Sequence, residues 1–501
     1  MFFKGKFSVV GIGFERFAVR CVFFLVWVLA QSAVCSAEDS RPNVLFIAVD
    51  DLNHWVGHLD GHPGTLTPNI DELASEGVSF SRAYAAAPLC NPSRVSLLTG
   101  VMPSRSGVYG NFEKLEVHLP DAITLPQYFR SQGYQVKGSG KIFHNPYGDN
   151  STEQSFDEFY NAFKIVKTKS GSKGYKEDPK RKRLSKEEMW APWGPVDIDD
   201  GDMLDAKNAD WVIAELKNPQ NRPFFLAYGT QKPHLNWNVP RKYYDMHPEV
   251  SIVLPKVIDD DLSDIPAFGK KLATEVLDIS NNRNFSTPGG DHNNVLKFNQ
   301  WEAAVRGYLA SISFADAQVG RVLDALAKSQ FADNTIIVLW GDHGWHLGQK
   351  EHWRKHTLWE DGLRTTLVIA SPTVTRRGSR SDRVVSLLDI YPTLIELAGL
   401  EPREGLDGQS LVPLLKEPKL PWPRPVVSTY GHQNHSIRTE RWRYIRYYDG
   451  TEELYDHDRD PYEWSNLAAI PVEKKHRTVI NRLKKSLPVT NSPPSKSKVK
   501  Y

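Results

Sequence analysis

Two uninterrupted apolar segments constrain the fold of this 501-residue chain more than any other feature. Residues 44–49 read VLFIAV, and residues 336–340 read IIVLW. Apolar runs of this length without alternation are typical of strands that are buried on both faces of a parallel sheet. Strand and helix patterns alternate over most of the chain, which predicts an α/β sheet covered by helices on both faces.

Charged residues follow both apolar segments where each strand should end. Asp50 and Asp51 follow the first segment, and Asp342 and His343 follow the second after one glycine. Because ligands bind at the carboxyl ends of parallel strands, these side chains are expected to line one crevice. Packed carboxylates repel one another unless a cation neutralises them. Oxygen ligands favour calcium or magnesium, and the imidazole keeps zinc or manganese open.

Each of these acids, taken singly, is also compatible with a helix cap or a solvated turn. Cap signals predict the ends of two helices close to the first apolar segment. Thr67 is expected to cap a helix that ends at Gly77, and NPSRVSLLTG predicts a second helix with Gly100 just past its end. Cys90 is expected within one turn before this second helix.

The N-terminal segment has the order of basic, apolar and small residues that is typical of a secretory signal. Its apolar core, CVFFLVWVLA, is too short for a comfortable membrane span, and cleavage is expected after Ala37. Residues 1–37 are therefore predicted to be a signal peptide, and the protein to be secreted or periplasmic. Cleavage would remove Cys21 and Cys35 and leave Cys90 without a partner, which is unusual for an exported protein.

Composition along the chain predicts the domain organisation. Short strands and turns from about residue 420 indicate a small antiparallel subdomain. Residues 164–188 are basic and poor in apolar side chains, which indicates a long exposed insertion. The predicted units are a main domain over residues 38–400, a C-terminal subdomain over residues 401–487 and a disordered tail over residues 488–501.

The surroundings of Cys90 decide between an inert buried thiol and a reactive group. Backbone N–H groups at the start of a helix favour anions and lower the pKa of a thiol. Arg94 follows one helical turn later on the same face. A nucleophile, a helix start and an arginine together predict a site for phosphate or sulfate.

The segment CNPSR at residues 90–94 resembles the C-x-P-S-R signature of type I sulfatases. Further segments are similar to elements of that family, in the usual order and over nearly all of the mature chain: NVLFIAVDDLN, GKIFH, QKPHLNW, GDHGWHLGQKEHWRKHTLWE, LDIYPTLIELAGL and YDHDRDPYEWSNL. The resemblance implies an alkaline phosphatase-like α/β fold: a large mixed, mostly parallel sheet sandwiched by helices, with a small C-terminal α+β subdomain that carries an antiparallel sheet. It also implies that a dedicated maturing enzyme oxidises Cys90 to formylglycine during export.

The resemblance further implies the ligands of the metal. One calcium ion would be held by five residues: Asp50, Asp51, residue Cys90 in its oxidised form, Asp342 and His343. The pair Asp342-His343 departs from the Asp-Asn pair of most sulfatases and is shared with the iduronate-2-sulfatase branch. KPHLNW and SIRTERWRYIRYYDG also look like that branch, which implies a 2-O-sulfated uronate or a related sulfated sugar as the substrate.

The remaining catalytic residues are likewise implied by the resemblance. Arg94, Lys141 and Lys355 are expected to hold charge on the sulfuryl group. His234 or Lys355 is expected to protonate the leaving alcohol, and His144 to hydrogen-bond the formylglycine hydrate and accept its proton. His346, His352 and His356 lie near the second strand end and are further candidates for the substrate pocket.

Charge and hydropathy limit the other classes of function. The formal net charge of +2 gives no reason to expect nucleic-acid binding, and no segment after residue 37 is apolar enough to cross a membrane. Two alternatives to a sulfatase stay open. One is a formylglycine-dependent phosphonate or phosphate monoester hydrolase, and the other is a catalytically inactive glycan-binding homologue.

Overall fold

A computed structural model describes most of the chain after residue 40. The described residues are 1–2, 4–6, 41–144, 150–162, 193–278, 283–284, 286, 289–469 and 471–494. The chain divides into residues 1–41 and a compact unit over residues 42–501. The apolar core of the predicted signal peptide and the predicted basic insertion over residues 164–188 lie outside the described residues.

The described strands are, in chain order, β1 (Asn43–Val49), β2 (Val78–Tyr84), β3 (Gln135–Gly140), β4 (Glu158–Tyr160), β5 (Phe224–Thr230), β6 (Leu277–Asp278), β7 (Arg283–Asn284), β8 (Thr335–Gly341), β9 (His346–Leu347), β10 (Trp353–Arg354), β11 (Arg364–Thr365), β12 (Leu367–Ala370), β13 (Ser379–Ser386), β14 (Val426–Thr429), β15 (His435–Arg438), β16 (Trp442–Arg446) and β17 (Glu452–Asp456).

The described α-helices are α1 (Pro68–Glu76), α2 (Cys90–Thr99), α3 (Pro103–Ser106), α4 (Leu115–His118), α5 (Leu125–Ser131), α6 (Asn150–Ser155), α7 (Leu204–Lys217), α8 (Arg241–Asp245), α9 (Ala267–Thr274), α10 (Asp291–Lys297), α11 (Trp301–Ala327), α12 (Glu360–Leu363), α13 (Ile390–Leu397), α14 (Val412–Lys416) and α15 (Lys474–Leu483). Among the described residues, none of these helices combines the length and the apolar character that crossing a bilayer requires.

The main sheet confirms the predicted mixed, mostly parallel arrangement. Its order is β11-β2-β12-β8-β1-β5-β3-β4, with β13 beside β2. β1 lies between β5 and β8 and is parallel to both. β12 is antiparallel to both of its neighbours, β2 and β8.

Helices cover both faces of this sheet, which explains why β1 is apolar without alternation. Its residues 44, 46 and 48 join one core with side chains from α2, α5, α13 and α14. Its residues 45, 47 and 49 join a second core with side chains from α1, α7 and α11. Successive side chains of a strand point to opposite faces, so both sets must be apolar.

The C-terminal antiparallel sheet is also confirmed, with the order β14-β15-β16-β17. Side chains of this sheet, among them Ile445 and Tyr455, share a core with Leu358 and Trp359 of the segment between β10 and α12. A second set of its side chains is covered by Ile480 and Leu483 of α15. The antiparallel sheet is thus packed between the main domain on one face and α15 on the other.

Two local expectations are wrong. Thr67 does not cap α1, because its hydroxyl accepts a hydrogen bond from the Gly57 N–H and donates one to Asp71. The predicted disorder from residue 488 does not hold for residues 488–494, because Ser492 hydrogen-bonds the backbone of Ser104 and Arg105. The Thr67 hydroxyl is occupied by residues 10 and 4 positions away in the chain, whereas Ser492 bonds Arg105, 387 residues earlier, which the local sequence does not show. Residues 495–501 lie outside the described residues.

A buried ion cluster joins the subdomain to the main domain. The Arg443 guanidinium lies 2.5 Å from a carboxylate oxygen of Glu463 and 2.5 Å from one of Glu360. Burial would raise the pKa of Glu360, but Arg438 and Arg443 hold it well below its usual range. His457 lies beside both acids, and the arginines supply the positive charge that a metal would otherwise provide.

Substitution of Arg443 by Met should destabilise the protein by about 3–5 kcal/mol, because Glu360 and Glu463 then keep only Arg438 and His457 as counter-charges. The midpoint of urea unfolding measures this loss. Arg441→Met is the matched control: Arg441 is exposed and pairs with Asp456, so its removal should shift the unfolding midpoint far less than removal of Arg443. Equal midpoints for the two variants would contradict a stabilising role for the cluster.

Candidate active site

The acids that follow β1 and β8 meet at one edge of the sheet. Val49 pairs with Gly341 in adjacent parallel strands, so Asp50 and Asp342 leave the sheet at the same level. The Asp51 N–H donates to Asp342 Oδ1 at 2.9 Å, and the Tyr308 hydroxyl donates to the Asp51 carbonyl. The first contact joins the two strand ends, and the second fastens the end of β1 to α11.

Helix α2 brings Cys90 to the same edge. Cys90 is the first residue of the helix rather than a residue before it, and Gly100 ends the helix in the left-handed region with φ 72°. The Asn91 side chain donates to the carbonyls of Gly110 and Glu113, and the Ser93 hydroxyl donates to the Asp342 carbonyl. The helix start is therefore fastened to the second strand end.

Four side chains converge on a point that fits a divalent cation. The ligand atoms of Asp51, Cys90, Asp342 and His343 lie within 4.8 Å of one another, and all four residues are buried. In the described part of the chain, the buried Asp51 Oδ2 has no hydrogen-bond partner. The His343 Nδ1 faces the Gly344 carbonyl at 2.9 Å and must donate there, so in the neutral imidazole Nε2 offers its lone pair to a metal. Two carboxylates and one imidazole suit calcium and leave softer ions possible.

Asp50 is drawn away from this group by two cations. Its Oδ1 lies 3.0 Å from the Arg94 guanidinium, and its Oδ2 accepts a hydrogen bond from the Lys141 ammonium. Burial would raise the pKa of Asp50, but Lys141, His234 and Arg94 hold it well below its usual range. Asp50 instead forms a second potential metal group with Asp51 and His234.

Arg94 does not face open space, contrary to the expectation that it holds the sulfuryl group. It is fully buried, and its Nε donates to Asp342 Oδ2 at 2.9 Å. Its Nη atoms donate to Asp50 and to the carbonyls of Lys141 and Ile142. These acceptors engage all three nitrogens of the guanidinium, so the structure places Arg94 as a support for two carboxylates.

One ammonium group contacts the Cys90 thiol, and a second acts on it electrostatically. The Lys355 Nζ lies 3.0 Å from Cys90 Sγ and 2.7 Å from Asp51 Oδ1. Burial would raise the pKa of the Cys90 thiol, but Lys141 and Lys355 outweigh burial and lower it to about 6. Residue 90 therefore lies where negative charge is strongly favoured.

Burial acts in the opposite direction on the second strand end. It raises the pKa of Asp342 to about 6, although His343 and Arg94 oppose it. The Asp342 carboxylate in turn raises the pKa of His343 to about 9 against the effect of burial. A cation between these side chains would favour the ionised carboxylate and the neutral imidazole.

The two remaining predicted catalytic residues are histidines from separate loops. His234 follows β5, is about a third exposed, and its Nε2 lies 3.8 Å from Asp51 Oδ2. His144 follows β3; burial and the Lys141 ammonium lower its pKa to about 3. Its buried Nδ1 has no partner among the residues that the structure describes.

Two of the three further histidine candidates are occupied by protein contacts. His346 bonds Thr357 and the Gln349 carbonyl, and His352 bonds the carbonyls of Ala273 and Lys355. His356 differs, because its buried Nδ1 has no partner in the described ranges.

Sequence reasoning missed residues that support the site. Lys232 and Asp205 hold the loop of His234, and Ser93 ties the helix start to β8. Lys232 lies in the QKPHLNW segment two residues before His234, and this proximity was the one signal in the sequence that could have indicated its supporting role. Asp205 had no local signal, because its partners lie 26 and 27 residues later in the chain.

Comparisons with known proteins agree with this geometry. The chain matches the family model described as Sulfatase over residues 42–400, and the one described as N-sulphoglucosamine sulphohydrolase, C-terminal, over residues 341–492. It is 37% identical over 473 residues to a protein named Sulfatase from Formosa agariphila, with 91% of this chain and 88% of that protein covered.

The chain is also 31% identical over 424 residues to iduronate 2-sulfatase of Homo sapiens, with 75% of this chain and 74% of that protein covered. A solved structure described as a 2-O GAG sulfatase superposes with a TM-score of 0.66 at 26% identity, covering 89% of this chain and 91% of that chain. The resemblance to sulfatases is therefore confirmed: the chain belongs to the sulfatase family and is a sulfuric ester hydrolase related to iduronate 2-sulfatase.

Proposed function

We propose that this chain removes sulfate from a sulfated sugar, namely a 2-O-sulfated uronate or a related residue of a polysaccharide. The observation that carries the proposal is the Cys90 thiol at a helix start, in contact with the Lys355 ammonium, within the electrostatic influence of Lys141 and beside buried carboxylates. The names iduronate 2-sulfatase and 2-O GAG sulfatase, borne by two similar proteins, support the substrate class.

The proposal includes one divalent cation, calcium, held by Asp51, Asp342, His343 and residue 90, with Asp50 adjacent. Asp51 Oδ2, which has no hydrogen bond within the described ranges, and the convergence of the four ligand atoms support this assignment. When bound, the cation would polarise a sulfuryl oxygen and favour an ionised hydroxyl on residue 90.

The proposal also includes oxidation of Cys90 to formylglycine by a maturing enzyme during export to the periplasm or outside the cell. A hydrated aldehyde carries two hydroxyl groups on one carbon: one displaces the sugar oxygen from sulfur, and the second allows collapse to the aldehyde with release of sulfate. The position of Cys90 favours such chemistry, because the adjacent cations stabilise negative charge on residue 90.

Lys141 and Lys355 would stabilise the charge that builds on the sulfuryl oxygens. Both are at least nine-tenths buried, so their fields are weakly screened. Arg94 would act indirectly, by holding Asp50 and Asp342 in place rather than by contacting the sulfuryl group. Preorganised charges of this kind are commonly the largest contribution to catalysis.

Two histidines would move protons. His234 is the better candidate for protonating the leaving alcohol, because Lys355 is already committed to Asp51 and Cys90. Burial lowers the pKa of His234, and the Asp51 carboxylate opposes that effect and favours the imidazolium. His144 would accept the proton as residue 90 returns to the aldehyde.

Substitution of Cys90 by Ser should convert a turnover enzyme into one that reacts once. A serine offers one hydroxyl for attack but lacks the second hydroxyl that expels sulfate. Stopped-flow release of nitrophenol from nitrophenyl sulfate should show at most one equivalent per protein and then no further product. Sustained turnover by this variant would exclude the scheme. Nitrophenyl phosphate serves as the comparison substrate, and preferred hydrolysis of the phosphate by the unaltered protein would favour the phosphate hydrolase instead.

Substitution of Asp51 by Asn should remove the bound cation, because it replaces a buried carboxylate that has an unused oxygen. We expect less than one equivalent of calcium by mass spectrometry of the desalted protein, and a loss of activity of about 100-fold or more. Asp245→Asn, at an exposed position of α8, should change neither quantity. A full equivalent of calcium in the Asp51 variant would refute this metal site.

A further inference from the structure

His234 reaches the candidate active site from the loop that follows β5, and one contact orients its ring. Its Nδ1 lies 2.7 Å from the carbonyl oxygen of Leu235. A carbonyl only accepts, so Nδ1 carries a hydrogen and Nε2 is the nitrogen that exchanges its proton. The direction of the Leu235 carbonyl therefore determines both the tautomer of His234 and the direction in which Nε2 points.

The buried Lys232 side chain holds the backbone on both sides of that carbonyl. Its Nζ donates to the carbonyl of His234 at 3.3 Å and to the carbonyl of Asn236. These two carbonyls flank that of Leu235 along the chain. With both neighbouring peptide planes fixed, the Leu235 carbonyl has little freedom to turn away from the ring.

Asp205 fixes the other end of the same loop. It lies in the first turn of α7, and its carboxylate accepts the N–H groups of Gln231 at 2.8 Å and Lys232 at 2.9 Å. The Thr230 hydroxyl donates to the Lys232 carbonyl. Because these hydrogen bonds fix the backbone of Lys232, its ammonium group has a defined position, unlike that of a mobile surface lysine.

We propose that Lys232 is a positioning residue for proton transfer: by fixing the Leu235 carbonyl, it aims Nε2 of His234 at the oxygen of the leaving alcohol. The inference rests on the proposed function, in which the His234 Nε2 gives its proton to that oxygen as the sulfur–oxygen bond breaks. Lys232 itself would touch neither the substrate nor the cation.

A leaving-group series separates this role from a purely structural one. An acidic nitrophenol needs little help to depart, whereas an unsubstituted phenol depends on a proton donor. Lys232→Met keeps most of the apolar stem and removes the donor. It should lower kcat about 30-fold for phenyl sulfate and less than about 3-fold for nitrophenyl sulfate. The ratio of the two rates does not depend on the fraction of the preparation that is folded.

Three companion variants complete the test. His234→Ala should show the same selective loss, Lys232→Arg should restore part of it, and Lys242→Met, at an exposed lysine nearby, should leave the ratio unchanged. A selective loss in the His234 variant but an unchanged ratio in Lys232→Met would overturn the inference and leave the proposed function intact. An unchanged ratio in His234→Ala would overturn the proton-donor role itself, and the inference with it.

Discussion

Strands β1 and β8 run side by side with Val49 opposite Gly341, so the acids that follow them leave the sheet at the same level. Parallel pairing of two strands that are buried on both faces thus concentrates three carboxylates in a region that water does not reach. Such a group is stable only when positive charge is supplied to it. The positions of Arg94, Lys141 and Lys355 follow from this requirement.

The cationic side chains around the three carboxylates have two different roles: one supports the protein structure, and the others would bind the substrate anion. All three guanidinium nitrogens of Arg94 donate to protein acceptors, so Arg94 belongs to the scaffold. The Lys355 ammonium contacts residue 90, and Lys141 acts on it electrostatically. A tetrahedral anion bound there would meet both ammonium groups without displacing the guanidinium. The same division recurs in the loop of His234, where Lys232 supports the side chain that would meet the substrate.

The sequence alone predicted the strand ends but not the distances between distant side chains. Unbroken apolar runs revealed β1 and β8, and the acids after them indicated a common crevice. Lys141, His144, His234 and Lys355 could be assigned only through the resemblance to sulfatases, because lysines and histidines on loops have no periodic pattern. The burial of Arg94 and the anchoring of Ser492 depend on partners far away in the chain, which explains why both were misjudged.

The central claim is that residue 90 reacts as an aldehyde, formed by oxidation of the cysteine, rather than as a thiol. Mass spectrometry of the peptide that contains residue 90, taken from protein exported by a host with a maturing enzyme, tests it most directly. The account predicts a mass about 18 Da below that of the cysteine form, the difference between a thiol and an aldehyde. An unmodified thiol in protein that nonetheless turns over sulfate esters would contradict it.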